Sequence, residues 1–264
     1  MFFGLTNSPA TFQTMMNNIF KDLIDEGYMA VYMDDILVYT CTLKHHWEVV
    51  TQVLDVLRKH WLYLKVEKCT FECTTVEYLG LVLSEGWVEM DPVKITGVRD
   101  WLTPKNVTEV QSFVGFVNFY CRFIPEFSHV ASPLHHLTKK AEPWQWTEPE
   151  EAAFQALKSL VTLAPILVLP DQDACFRLKT DASGYATGAI LSQLCNDEKW
   201  HPIGFMSKSL SLAECNYAIY DKELLSVICG LKVQEWRHIL EGTKHTIKIL
   251  NNHRNSHFSK WPRC

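Results

Sequence analysis

No run of about eighteen or more apolar residues occurs in the 264-residue sequence, which excludes a long hydrophobic spanning helix. Its opening lacks the basic, apolar and small-residue order of a secretory leader, so an intracellular location, cytoplasm or nucleus, is expected. Nine cysteines, an odd number, then fit reduced thiols rather than a disulfide framework. Cys69 and Cys73 are four apart, yet no second cysteine or histidine pair follows at zinc-finger spacing. The His45-His46 and His135-His136 doublets read as surface or helix-end residues, and no zinc site is assigned. Positive charge is scarce as well: 25 Lys and Arg against 30 Asp and Glu leave a net −5, where nucleic-acid binders usually carry a basic footprint. One stretch departs from that balance. From 244 to 264, Lys244, Lys248, Arg254, Lys260 and Arg263 occur without an acidic residue, which reads as a solvated end or a weak phosphate contact.

What the sequence does hold is a pair of adjacent carboxylates between apolar runs, in "GYMAVYMDDILVYT", residues 27–40. Tyr28–Met33 and Ile36–Thr40 are short, aromatic and β-branched, the pattern of two strands. Asp34 and Asp35 are then the expected central residues of a hairpin turn, where Asn-Gly or Asp-Gly is preferred because both positions need φ > 0. Poor turn chemistry of this kind points to a functional site. Two carboxylates about 4 Å apart repel by ~1 kcal/mol in water and ~4 kcal/mol at an effective dielectric near 20. Magnesium relieves such repulsion and is commonly held by one or two carboxylates plus substrate phosphates. An exposed acidic turn on an ordinary hairpin accounts for the same residues, and both readings stand. Just upstream, "TNSPATFQTMMNNIFKDLIDEG" predicts a helix with Ser8 as cap, Pro9 in the first turn and Gly27 at the end. Phe12, Met15, Met16, Ile19, Phe20, Leu23 and Ile24 form its continuous apolar face.

Further along, "HWEVVTQVLDVLRKHWLYL" places Trp47, Val50, Val53, Leu54 and Leu57 at helical spacing. "VEYLGLVLSEGWVEMD" reads as two strands around Glu85-Gly86. "PKNVTEVQSFVGFVNFYCRFIPEF" predicts a helix anchored at Thr108 and ending near Pro125, with Phe113, Phe116, Phe119 and Tyr120 as core rather than base-stacking residues. Residues 139–170 are rich in Pro and Trp, the composition of a boundary, and contain one helix, "EPEEAAFQALKSL". Then come three strands, "ACFRLKTD", "YATGAILSQ" and "HPIGFMSKSL", the first two separated by a Ser183-Gly184 bend. A helix follows, with Tyr217, Tyr220, Leu224, Val227, Ile228 and Leu231 on one face. Asp181 falls at the end of a central strand, and Glu223 falls on that helix beside its buried face.

"FFGLTNSPATFQ" followed closely by "YMDDILVY" resembles the palm of a gypsy-type long-terminal-repeat retrotransposon reverse transcriptase, whose members typically read "PFGLxNAPxxFQ" and then "Y(L/M)DD(I/V)". The likeness continues in the family's order through "KCTFECTTVEYLGLVLSEGWVEMDPVK", "TEVQSFVGFVNFYCRFIPEF", "PLHHLTKK", "WQWTEPEEAAFQALK", "LKTDASGYATGAILSQ" and "NYAIYDKELLSVICGLKVQEWRHILEG". It implies an α/β (α+β) fold: a partial reverse transcriptase palm over 1–90, thumb-like helices over 91–138, a connection over 139–170 and an incomplete ribonuclease H-like domain over 171–264. It also implies roles. Asp34 and Asp35 are the catalytic metal ligands of the polymerase, Asp34 the principal one. Tyr32 lies beside the primer end, Gly4 and Gln13 near the template and nucleotide pocket, and Leu79 and Gly80 in the hairpin that grips the primer. Asp181 and Glu223 belong to the two-metal cluster of the ribonuclease H, which clamps the attacking water and the leaving oxygen. The implied cofactor is Mg2+, with Mn2+ as an alternative. The implied partners are an RNA template, a DNA primer, an RNA–DNA hybrid and dNTPs, with no membrane.

The sequence departs from the family pattern in two places. The strand after the helix typically ends in "TDHK", whose Asp is the third ligand. Here "ILNNHRNS" puts the neutral Asn252 at that position, a poorer ligand for a hard dication. The family's first polymerase Asp precedes "PFGL", and this sequence begins inside that motif, so the fingers and that Asp are expected to be missing, as is the last ribonuclease H helix. Two expectations follow. One is a polymerase and ribonuclease H fragment active only with its missing parts. The other is a decayed copy that at most binds nucleic acid.

Overall fold

The computed structural model describes residues 6–139 and 142–251, and all structural statements concern these. Gly4 and Asn252 lie outside the described residues. The chain divides into two compact units, Met1–Leu79 and Gly80–Cys264.

In the first unit, helix α1 (Ser8–Ile19) is preceded by Asn7 as cap, in place of the expected Ser8, with a proline in its first turn. The expected single helix is interrupted at Phe20 (φ −108°, ψ 15°) and resumes as α2 (Lys21–Asp25). The break coincides with a fully buried ring, and Met16, Phe20 and Leu23 from both segments enter one core. Gly27, at φ 76°, closes α2 as expected. Its N–H bonds Ile24 O and the Tyr28 N–H bonds Leu23 O, both at 3.0 Å, the Schellman pairing that satisfies a helix end. Strands β1 (Met29–Tyr32) and β2 (Asp35–Val38) form an antiparallel hairpin in which Tyr32 pairs with Asp35. The turn therefore lies on Met33 and Asp34, one residue earlier than the sequence suggests, and Asp35 opens the second strand.

Helix α3 (Leu43–Lys59), capped by Thr42, buries Val49, Val50, Val53 and Leu57. Trp47 and Leu54, counted on its apolar face from spacing, are exposed, and the Trp47 indole N–H donates to Glu72 at 2.6 Å. Met29 of β1 joins Val49, Val53 and Leu57 in the core of this unit. A short strand, β3 (Thr75–Tyr78), ends it.

The second unit begins with β4 (Leu81–Ser84) and β5 (Trp87–Met90), paired around Glu85-Gly86 as expected, with Gly86 at φ 79°. Helix α4 (Pro92–Arg99) is capped by Asp91. Helix α5 (Val107–Phe119) is capped by Asn106 rather than Thr108. The Asn106 side chain accepts the Glu109 N–H at 3.0 Å, while Glu109 accepts the Lys105 N–H at 2.7 Å. Two short helices follow, α6 (Phe127–Val130) and α7 (Ser132–Leu137), then α8 (Glu148–Thr162), which opens on a Thr147–Glu150 capping box. Strand β6 (Leu167–Val168) pairs with β5. Phe113 and Tyr120, the neighbouring Phe123, and Leu134, Phe154 and Leu157 fill one core, with the Phe113 and Phe154 ring centres 4.6 Å apart. Truncating Phe154 to Ala in such a site costs about 3–5 kcal/mol. Phe119, by contrast, is exposed.

Strands β7 (Phe176–Ala182), β8 (Ala186–Leu194) and β9 (Trp200–Ser209) form an antiparallel meander. After α9 (Leu212–Cys215), α10 (Ile219–Leu231) and α11 (Gln234–Gly242), strand β10 (Lys248–Asn251) returns parallel to β7, giving the order β10-β7-β8-β9. Helix α10 packs on β7 and β8 along one edge of the expected apolar face, burying Val227 and setting Leu231 against the core of that sheet. Lys222, Glu223, Ser226, Val227 and Gly230 are buried, whereas Tyr217, Tyr220, Leu224 and Ile228 are exposed. The approach is closest at Gly230, where a Cβ would lie 3.1 Å from Ala189 Cβ and 3.4 Å from the Leu178 side chain. Among the described residues no helix is long and apolar enough to cross a membrane.

Candidate functional site

The Asp34–Asp35 hairpin is held from outside by Gln13, which α1 directs onto it. The Gln13 carbonyl oxygen accepts the Met33 N–H at 2.6 Å. Its amide nitrogen donates to Val31 O at 3.0 Å and to Asn17 Oδ1 at 2.8 Å. Donors and acceptor are thus all engaged. The restraint matters because Met33 sits at φ 54°, a left-handed conformation that costs a non-glycine residue about 1–3 kcal/mol. The two bonds to the hairpin, at roughly 1 kcal/mol net each, are of the size needed to hold it. Asp34 and Asp35 are both exposed, so their repulsion lies nearer the ~1 kcal/mol of water than the ~4 kcal/mol of a half-buried pair. Tyr32, on the other side of the turn, is 56% exposed. Burial first, then the charges of Asp35 and Tyr39, push the Tyr78 phenol above its ordinary value, which keeps it a neutral hydroxyl near Asp35.

Leu79 and Gly80 are consecutive left-handed residues, at φ 51° and φ 76°, the dihedral pattern of a type I′ turn. The Gly80 carbonyl accepts the Tyr120 hydroxyl at 3.2 Å and the Asp91 N–H at 3.3 Å. Glycine is required here twice over. Its φ is positive, and a Cβ would lie 2.9 Å from the Tyr120 oxygen.

Asp181 is exposed on β7, opposite Gly188 of β8, one residue before the strand ends. Glu223 is 7% exposed on the sheet-facing side of α10. Its backbone carbonyl accepts Ser226 Oγ at 2.6 Å and Asn251 Nδ2 at 3.3 Å. Asn251 pairs with Thr180 in the parallel β10–β7 register, which brings it alongside the carboxylate-bearing end of β7. Asp181 also lines a shallow pocket with Glu126, His129, Ser183, Thr187 and Ser207. Glu126 and His129 come from the α6 segment, whose sequence carries no motif that flags them. The Ser128 N–H donates to Ser207 Oγ at 3.0 Å and seats that segment on β9.

Residues 1–83 match the family model for reverse transcriptase (RNA-dependent DNA polymerase), and residues 146–248 match that for the RNase H-like domain found in reverse transcriptase. Over 253 residues, 96% of its length, the chain is 37% identical to the Transposon Tf2-3 and Tf2-7 polyproteins of Schizosaccharomyces pombe. The chain belongs to the gypsy-type retrotransposon Pol family. It spans 19% of the length of those polyproteins. Its fold is shared, at 22% identity, with solved foamy viral protease-reverse transcriptases. The complex with an RNA/DNA hybrid gives a TM-score of 0.73 over 94% of this chain and 33% of that one. The complex with double-stranded DNA gives 0.74 over 94% of this chain and 51% of that one.

Reverse transcriptase and RNase H-like families generally use divalent metal ions, and the retrotransposon Pol chain offers two unequal donor sets. Among the described residues no group of three or more His, Cys, Asp or Glu is placed to hold an ion. Asp34 and Asp35 suit an ion that completes its shell with phosphate oxygens and water, the usual way magnesium is held. Asp181 and Glu223 contribute one carboxylate each, from β7 and α10.

Proposed function

We propose that this Pol chain supplies the acidic hairpin of an RNA-directed DNA polymerase and a ribonuclease H-like domain that contributes to nucleic-acid binding more than to cleavage. The observation that carries the polymerase reading is the exposed Asp34–Asp35 hairpin, held at Val31 and a strained Met33 by two Gln13 bonds. A strained backbone kept in place by dedicated hydrogen bonds supports reading this turn as functional.

In this reading the substrates are an RNA template, a DNA primer, their hybrid and dNTPs. Asp34 and Asp35 hold Mg2+ or Mn2+ together with the triphosphate, Asp34 as principal ligand. When bound, such an ion neutralises charge on the reacting phosphate and lowers the pKa of the attacking hydroxyl. The chain's own residues do the positioning. Gln13 fixes the hairpin from the α1 side and, with Gly4, borders the template and nucleotide pocket. Tyr32 flanks the primer end, and Leu79 and Gly80 contact its backbone. Preorganisation of this kind dominates catalysis of phosphoryl transfer, where the protein has little covalent chemistry to perform. Cleavage of an RNA–DNA hybrid by this chain is weak or absent in this reading, because Asn252 stands in the sequence where the family motif has an Asp. That favours decay for the ribonuclease H half specifically.

The test is extension of a DNA primer on an RNA template by a polyprotein containing this chain. Asp34→Asn is expected to lower the rate by roughly a hundredfold or more, and Asp35→Asn by less. The 264-residue chain alone is expected to extend nothing. Full activity in the Asp34→Asn polyprotein removes the polymerase assignment of the hairpin.

A further inference from the structure

We infer that Tyr120 is a positioning residue for the Leu79–Gly80 turn, its hydroxyl turning the Gly80 carbonyl inward so that the turn offers N–H donors to a phosphodiester backbone. The inference rests on the reading of Leu79 and Gly80 as primer contacts.

Tyr120 reads as core from sequence, and its ring is core. It is 2% exposed and lies against Phe116, Phe119 and Phe123 with ring centres 5.7, 4.9 and 6.5 Å away. A phenylalanine would fill that space equally well. The hydroxyl is therefore the part that needs explaining, and its partner is the Gly80 carbonyl. Together with the Asp91 N–H, it gives that carbonyl two donors. Asp91 is itself fixed, because its side chain caps α4 by accepting the Val93 N–H at 2.8 Å.

This arrangement has a chemical consequence. A carbonyl oxygen repels a phosphate oxygen, whereas an amide N–H attracts it. With the Gly80 carbonyl held inward, the N–H groups of Leu79 and Gly80 remain, and no hydrogen bond from either is found among the described residues. Burial, then the charge of Asp91, push the Tyr120 phenol above its ordinary value, so it persists as a donor through the neutral range. A side chain at position 80 would meet the Tyr120 oxygen, so only glycine leaves that hydroxyl its place beside the carbonyl.

The experiment measures binding of the full chain to a primer–template duplex carrying, one at a time, uncharged methylphosphonates at the phosphates nearest the primer 3′ end. In the wild type, one or two of these substitutions are expected to weaken binding several-fold. Tyr120→Phe keeps the ring and is expected to weaken binding to the native duplex by a similar factor. It should then lose no further affinity when the same phosphates are neutralised. A merely structural role would reduce affinity while leaving the methylphosphonate pattern unchanged, and that outcome overturns the inference. Gly80→Ala leaves Tyr120 intact but displaces its hydroxyl, and it should flatten the pattern in the same way. Circular dichroism confirms that each variant is folded. A wild type that binds no duplex, or is indifferent to every primer methylphosphonate, refutes the primer-contact reading itself and the inference with it.

Discussion

The side-chain oxygen of Gln13 lies 2.6 Å from the amide nitrogen of Met33, joining α1 to the turn between β1 and β2. The bond pins the one residue of that turn whose backbone is left-handed without being glycine. The conformation of the acidic hairpin is thus set partly by a helix that carries neither carboxylate.

Gln13→Ala should free the turn. Loss of the bond to Met33 and of that to Val31 O removes roughly 1–3 kcal/mol of local stability. Exchange of the Met33 amide hydrogen should accelerate by about tenfold or more, with little change for amides in the middle of α3. Equal protection of Met33 in the variant would show that the strands hold the turn unaided.

Gly230→Ala should be destabilising although it lies inside a helix. At an open helical position the change ordinarily gains about 1 kcal/mol. Here the new methyl meets the buried side chains of Ala189 and Leu178, and a loss of about 1–2 kcal/mol is expected from overpacking. Urea unfolding of the variant measures the sign directly.

Acid should loosen the start of α8 through Glu151. The hydrogen bond from Gln155, then that from Trp146, and lastly the charge of Lys158 hold its carboxyl below the ordinary 4.5, against a smaller opposing effect of burial. A carboxyl with a depressed folded pKa contributes stability that is complete above its unfolded value and is lost as pH falls through the folded one. The Trp146 indole resonance, bonded to Glu151 Oε2 at 2.8 Å, should therefore shift only below the range where a free glutamate titrates. In Glu151→Gln that shift should vanish.

Much of this fold is legible in the sequence, for reasons that differ by element. The Glu85-Gly86 turn is visible because glycine at φ 79° is what a tight hairpin demands. Strands β7 to β9 show because their apolar runs and the Ser183-Gly184 bend delimit them. The Asp34–Asp35 hairpin is also visible, but its turn is misplaced by one residue. Methionine gives no hint of positive φ, and the Gln13 bond that stabilises it joins residues twenty apart in sequence. The motifs mark Asp181 and Glu223, yet nothing in the spacing brings Glu126 and His129 to the Asp181 pocket. The cap of α5 is displaced because Asn106 and Thr108 both have capping side chains, and only Asn106 accepts the Glu109 N–H; at α1 the helix starts after Asn7, whose side chain makes no capping bond.

Helix α10 misleads most, since its bulkiest side chains point away from the sheet. Counting apolar residues rewards Tyr220, Leu224 and Ile228, whereas the buried positions are Lys222, Glu223, Ser226, Val227 and Gly230. An oily ridge therefore faces solvent on this chain. In the laboratory it should behave like a sticky protein despite its negative charge, lingering on phenyl resin at moderate salt. Lysine at Leu224 and Ile228 should release it sooner without disturbing the sheet beneath.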